Sequence, residues 1–187
     1  MTVQHLPADC APAVLAFWFD EVGRERWFAK SDALDAEIAR RFGALRDELI
    51  ATSAKASRDT PDHLLAAIIV LDQFSRNLHR GSAKAFTADP LALELAMLGL
   101  DRGWDAGMTV DERQFLLMPL MHSEELPVQD RALVEFAKLG DANVLAFAKQ
   151  HHDQIARFGR FPGRNAALGR RTTAEELGLL GGGTAQW

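Results

Sequence analysis

The chain has 187 residues, 48% hydrophobic and 25% charged, the balance of a folded domain, which excludes a disordered or low-complexity protein. Acidic residues outnumber basic ones, 26 against 21, and the net charge of −5 argues against nucleic acid as a partner, because phosphate backbones recruit basic surfaces. Cys10 is the only cysteine, so no disulfide forms within the chain and a reducing, cytoplasmic location is expected.

Residues 1–11 lack a basic segment followed by an apolar run, so no secretory leader is expected. The longest apolar run, Leu64 to Leu71, is far below the ~20 residues that span a bilayer. No low-complexity linker and no fixed-period repeat divides the sequence. A single domain over 1–187 is therefore expected, its core within 12–180, with a loose glycine-rich tail over 181–187.

Proline and glycine punctuate a series of predicted helices. Pro12 opens a short one through Val14–Phe19, and Gly23 stops it. Ser31 caps a second helix, in which Leu34, Ile38, Phe42, Leu45 and Leu49 form one apolar stripe. Thr60-Pro61 opens a third. Its body, Leu64 to Leu71, is apolar on every side, so it should be buried all round. Its last turns become polar, with Asp72 and Arg76 on the stripe of Leu65, Ile68 and Ile69. That pattern predicts a buried ion pair or a cavity wall.

Asp89-Pro90 repeats the cap-then-proline signal for a fourth helix, closed by Gly103. Thr109 and Glu112 have capping-box spacing for a fifth, which runs past Pro119 to His122. A sixth spans 127–139 and a seventh 141–158, closed by Gly140 and Gly159. Thr173-Ala174-Glu175-Glu176 starts a further short capped turn. No stretch alternates with the period of a strand. The fold class is all-α, with short connections that favour antiparallel neighbours.

The most distinctive segment is 151–165. On the seventh helix His151 falls among Val144, Phe147, Ala148, Ile155 and Phe158, with His152 at the edge of that face. His122 lies on the inward stripe of the fifth helix, followed by Glu124. Arg157, Arg160 and Arg164 then accumulate in a loop pinned by Phe158, Phe161 and Pro162, and no acidic residue intervenes between Asp153 and Glu175. Rigidly held arginines beside an inward histidine suit a carboxylate or phosphate. Their alternative counterions are internal carboxylates, with Asp72 and Glu124 the candidates. Trp18, in the Phe17-Trp18-Phe19 run, can place a ring on a pocket wall. No spacing of Asp72, His122, Glu124 and His151 is that of a metal motif. Neither a nucleophile elbow nor a phosphate-binding glycine loop occurs, so no metal or cofactor is expected.

The sequence resembles the bacterial DUF924 family. The matching runs are Val14–Phe19, Trp27-Phe28, Leu71–Asn77, Ala85–Ala92, Met118–Glu124 and Arg157–Asn165 preceded by His151, together covering about residues 13–180. The resemblance implies helical hairpins stacked as in tetratricopeptide-repeat proteins, and no reaction. The family more often has His at Gly163, Tyr at Leu117 and His79, and Pro at Ser75, so chemistry resting on those groups would be altered here.

Two readings follow. In one, Trp18, Asp72, Arg76, Asn77, His122, Glu124, His151, Arg157, Arg160, Arg164 and Asn165 surround a pocket for a small anionic molecule, with His151, His122 and Glu124 as candidates for acid–base chemistry. In the other, the scaffold binds a peptide or protein along a groove without catalysis. The sequence defines no oligomeric state and no membrane partner.

Overall fold

The computed structural model describes residues 10–181, so the expectations for residues 1–9 and for the tail beyond Gly181 lie outside the described residues. Gly181 itself ends a helix. Among the described residues all regular structure is helical, without strands, and no helix is long and apolar enough to cross a membrane. The chain packs as two compact units. Among the described residues, one comprises 10–80 with Lys84–Met108; the other comprises Gly81–Ala83 with 109–181.

In the first unit, helix α1 (Cys10–Leu15) continues into a π-helical stretch, Ala16–Val22. The wider turn ends where the Gly23 amide donates to the Trp18 carbonyl at 3.1 Å. Gly23 has φ 71°, which a residue without a Cβ adopts at no steric cost. Helix α2 (Asp32–Ala51) begins at Ser31, whose hydroxyl accepts from the Leu34 amide. Phe17, Phe42 and Phe74 pack with centroids 5.0 to 5.9 Å apart, and Trp18 meets Phe74 at 5.4 Å. Trp18 is fully buried in this cluster and serves as core.

The third predicted helix is one run of three segments: α3 (Pro61–Ile68), a π-helical stretch Ile69–Phe74, and α4 (Ser75–Leu78). Residues 64–75 are buried without a break, as the apolar periphery of 64–71 requires. Asp72, 0% exposed, therefore needs a counter-charge. Arg76 supplies it, with Nη1 3.1 Å from Asp72 Oδ1, and binds Asp89 with both terminal nitrogens at 3.1 Å. The Gln73 side-chain amide also donates to Asp72. Burial alone would lower the Arg76 pKa, but the two carboxylates outweigh it and hold the group above its ordinary value.

That interaction changes the expected start of helix α5 (Asp89–Asp101). Asp89 is its first residue and not its cap, and Ala88 provides no side-chain cap, because the Asp89 carboxylate is drawn to Arg76. The apolar stripe of α2 differs as well. Leu45 is half-buried, and Arg46 turns inward instead. Its guanidinium donates to Ser75 Oγ at 3.2 Å and to the Lys84 carbonyl and Thr87 Oγ1 at 3.0 Å. Asn77 and Arg80 both donate to Asp35.

The second unit contains α6 (Val110–Met121), α7 (Leu126–Ala137), α8 (Ala142–Phe158) and α9 (Ala174–Gly181). The Thr109–Glu112 capping box is formed. Asp141 caps α8, and Gly159 closes it in the left-handed conformation. Helix α7 packs along α8, and α6 contacts both. The inward face of α8 is Ala148, His151, Gln154 and Ile155. Phe147 was expected on that face but is 53% exposed, since the buried stripe runs through 148, 151 and 155 and leaves 147 on its outer flank.

Asp72→Ala should cost about 3 kcal/mol in urea titration, toward the low end for stranding a buried cation, because Asp89 still pairs with Arg76. The Asp72→Ala/Asp89→Ala double variant should lose more than the sum of the single losses.

Candidate functional site

His122 follows α6 directly as its C-terminal cap, and its amide donates to the Met118 carbonyl at 3.0 Å. His151 lies midway along α8. Both are buried, and their rings are 5.9 Å apart, tilted by 48°. His151 Nδ1 is 2.8 Å from the Phe147 carbonyl. A carbonyl only accepts, so Nδ1 carries the proton, and in the neutral ring the lone pair sits on Nε2. That assignment gives Nε2 the capacity to accept a proton.

The loop after Gly159 closes over the pair. Phe161 is fully buried and meets His151 edge-on at 5.5 Å. Arg164, only 5% exposed, lies over the Phe161 ring at 4.5 Å and donates from Nη2 to the His122 carbonyl at 2.9 Å. Pro162–Arg164 forms a 3₁₀ turn that sets this direction. His122, His151, Phe161 and Arg164 thus form one contiguous cluster.

The other arginines have different partners. Glu124 is held by Arg170, with Nη1 to Oε2 at 2.7 Å and Nη2 to Oε1 at 2.9 Å, and it accepts the Phe161 amide at 2.8 Å. Burial pushes the Glu124 pKa up, but the Arg170 and Phe161 hydrogen bonds and the charges of Arg170 and Arg164 bring it below the usual value. Arg160 grips Glu176 with Nε to Oε1 at 2.7 Å and Nη2 to Oε2 at 2.9 Å. Arg157 pairs with Glu175 at 2.8 Å on the surface. The expected counterions were Asp72 and Glu124; for Arg157 and Arg160 they are carboxylates of α9. Asn165 is buried, and its amide donates toward Glu176 Oε2 at 3.3 Å. Trp18, Asp72, Arg76 and Asn77 belong to the first unit and have the partners described there.

Two residues of this region were not singled out by sequence. Gln129, on α7, is 0% exposed. Its amide nitrogen donates at 2.7 Å to the carbonyls of Met121 and Ser123, on either side of His122. Its Oε1 is buried without a partner, as is Oε1 of Gln154, one turn beyond His151 and 7% exposed. The signal for both was helical spacing: Gln129 shares a stripe with Ala132 and Phe136, and Gln154 follows His151 by three. Among the described residues no three His, Cys, Asp or Glu side chains are grouped as a metal site.

The family described as bacterial protein of unknown function (DUF924) matches residues 14–183. The chain is also similar to a solved structure of a protein of unknown function, ATU0120, from Agrobacterium tumefaciens. The two share 34% identity over 91% of this chain and 96% of that one, with a TM-score of 0.86. Among curated proteins, none matches the sequence.

Arg160 and the Thr173 amide hold the Glu176 carboxyl down to about 2. A depressed folded pKa stabilises the fold fully above the ordinary carboxylate pKa, and that contribution fades as pH falls toward 2. Arg160→Ala should therefore lower the thermal midpoint by a few degrees at pH 7, and the gap from the wild type should narrow steadily from pH 5 to pH 2. A gap independent of pH would place the loss elsewhere.

Proposed function

The chain belongs to the bacterial DUF924 family, and we propose that its second unit binds a small anionic molecule at the His122–His151–Arg164 cluster, in the cytoplasm. The observation that carries this reading is a pair of buried imidazoles 5.9 Å apart, in a unit that also holds two buried glutamine oxygens without donors. A buried acceptor left unmatched costs about 1–3 kcal/mol, and Gln129 Oε1 and Gln154 Oε1 both lack donors. A ligand bearing hydroxyl or amino donors would satisfy them, and Arg164 supplies the charge for a carboxylate or phosphate group. His151, with its proton on Nδ1, offers Nε2 as the base in any proton transfer. Arg157, Arg160 and Glu124 are occupied by their own ion pairs and act as supports.

A second reading rests on the outer surface of the same unit. Val134 on α7 and Phe147 on α8 are exposed, as an α-helical scaffold that docks a peptide or protein would present them. The two readings separate by ligand size and by the residues that matter.

Thermal shift with phosphate, sulfate, malate and serine, on the wild type and on His151→Asn, tests the first. A hydroxylated anion such as malate should raise the wild-type midpoint more than sulfate does, and the variant should lose that rise while remaining folded. Equal responses of both proteins to every compound would discard the cluster as a binding site.

A further inference from the structure

Helix α9 is attached in an unusual way. Its one buried residue is Glu176, 2% exposed, while Leu177 on the next position is exposed. The neighbouring Arg157–Glu175 pair is open to water on both sides and adds little. Its most buried side chain is a charged one, while Leu179 and Leu180 are only half-buried.

Glu176 is also the third residue of a capping box. Its carboxylate accepts the Thr173 amide at 2.7 Å, and its own amide donates to Thr173 Oγ1 at 3.2 Å. Capping alone does not account for the rest of its surroundings. The corresponding Glu112 of α6 bonds only Thr109 among the described residues. Glu176 receives in addition the two-pronged Arg160 guanidinium and the buried Asn165 amide. These groups belong to the loop after α8, and each side chain has a further hydrogen bond outside α9, that of Asn165 to Thr172 Oγ1 at 3.4 Å. Arg160 Nη2 donates to the Arg171 carbonyl at 2.9 Å, and the Arg170 amide donates to the Asn165 carbonyl at 2.8 Å. Arg160 keeps its side chain 28% exposed, so the cradle has an edge reachable from solvent.

We propose that Arg160 and Asn165 form a carboxylate-binding site whose resident occupant is Glu176, and that a small carboxylate from outside the chain displaces Glu176 and releases α9. The fork of an arginine matches any carboxylate, so the intramolecular occupant holds its place by proximity. Release further exposes only the half-buried Leu179 and Leu180, because no apolar side chain of α9 is fully buried. The site is separate from the His122–His151 cluster, and the inference stands without the function proposed there.

The test uses acetate against chloride at equal ionic strength. In the wild type, acetate should speed hydrogen exchange of the α9 amides, residues 174–181, beyond the rate in chloride. In Glu176→Ala the vacated cradle should take acetate directly, so that acetate raises the thermal midpoint and chloride does not. The Arg160→Ala/Glu176→Ala double variant should lose this rise. If Glu176→Ala does not fold, Glu176→Gln replaces it, since the amide oxygen still accepts from Thr173 and Arg160; α9 should then exchange faster than in the wild type, and acetate should again raise the midpoint. Equal effects of acetate and chloride in the single variant, or an acetate response that survives in the double variant, would overturn the proposal.

Discussion

A carboxylate placed in a helix without an exposed face obliges the chain to bring a cation to it. Asp72 sits in that position, and much of the first unit follows from it. Arg76 must come from the next turn of the same run, and its second carboxylate, Asp89, must come from the start of α5. The start of α5 is thereby tied to the end of the buried run by charge as well as by packing. The same constraint recurs in the second unit on a loop. Glu124 meets Arg170, and Glu176 meets Arg160, so the segment after α8 is fixed at two points. Between them Phe161 and Arg164 press toward the histidines.

This arrangement gives the two units different chemical characters. Ionic groups of the first unit pair with one another around an aromatic core. In the second, the ion pairs lie around two imidazoles, and Gln129 Oε1 and Gln154 Oε1 are buried without a partner.

The parts legible in the sequence were those set by local chemistry. Ser31, Thr60-Pro61, the Thr109–Glu112 box and Gly159 each act within about four residues, and each sits where its side chain or its φ angle requires. His122 and His151 were legible as inward because helical period places them there. What spacing alone did not reveal came from partners distant in sequence. Asp89 reads as a cap until Arg76, thirteen residues earlier, takes its carboxylate. Arg46 reads as surface until Ser75, the Lys84 carbonyl and Thr87 are folded around it. This also gives a role to Ser75: its hydroxyl accepts from Arg46. Arg160 reads as an anion clamp until α9 returns with Glu176.

The π-helical stretch at Ile69–Phe74 has a consequence for how this chain tolerates changes in length. A residue inserted into an ideal α-helix turns everything downstream by about 100°, which would carry Arg76 and Asn77 away from Asp89 and Asp35. A wide turn absorbs one extra residue locally and leaves the flanking faces in phase. Loss of a single residue within this wide turn can therefore return it to α-helical pitch, with the ion pairs beyond it keeping their orientation.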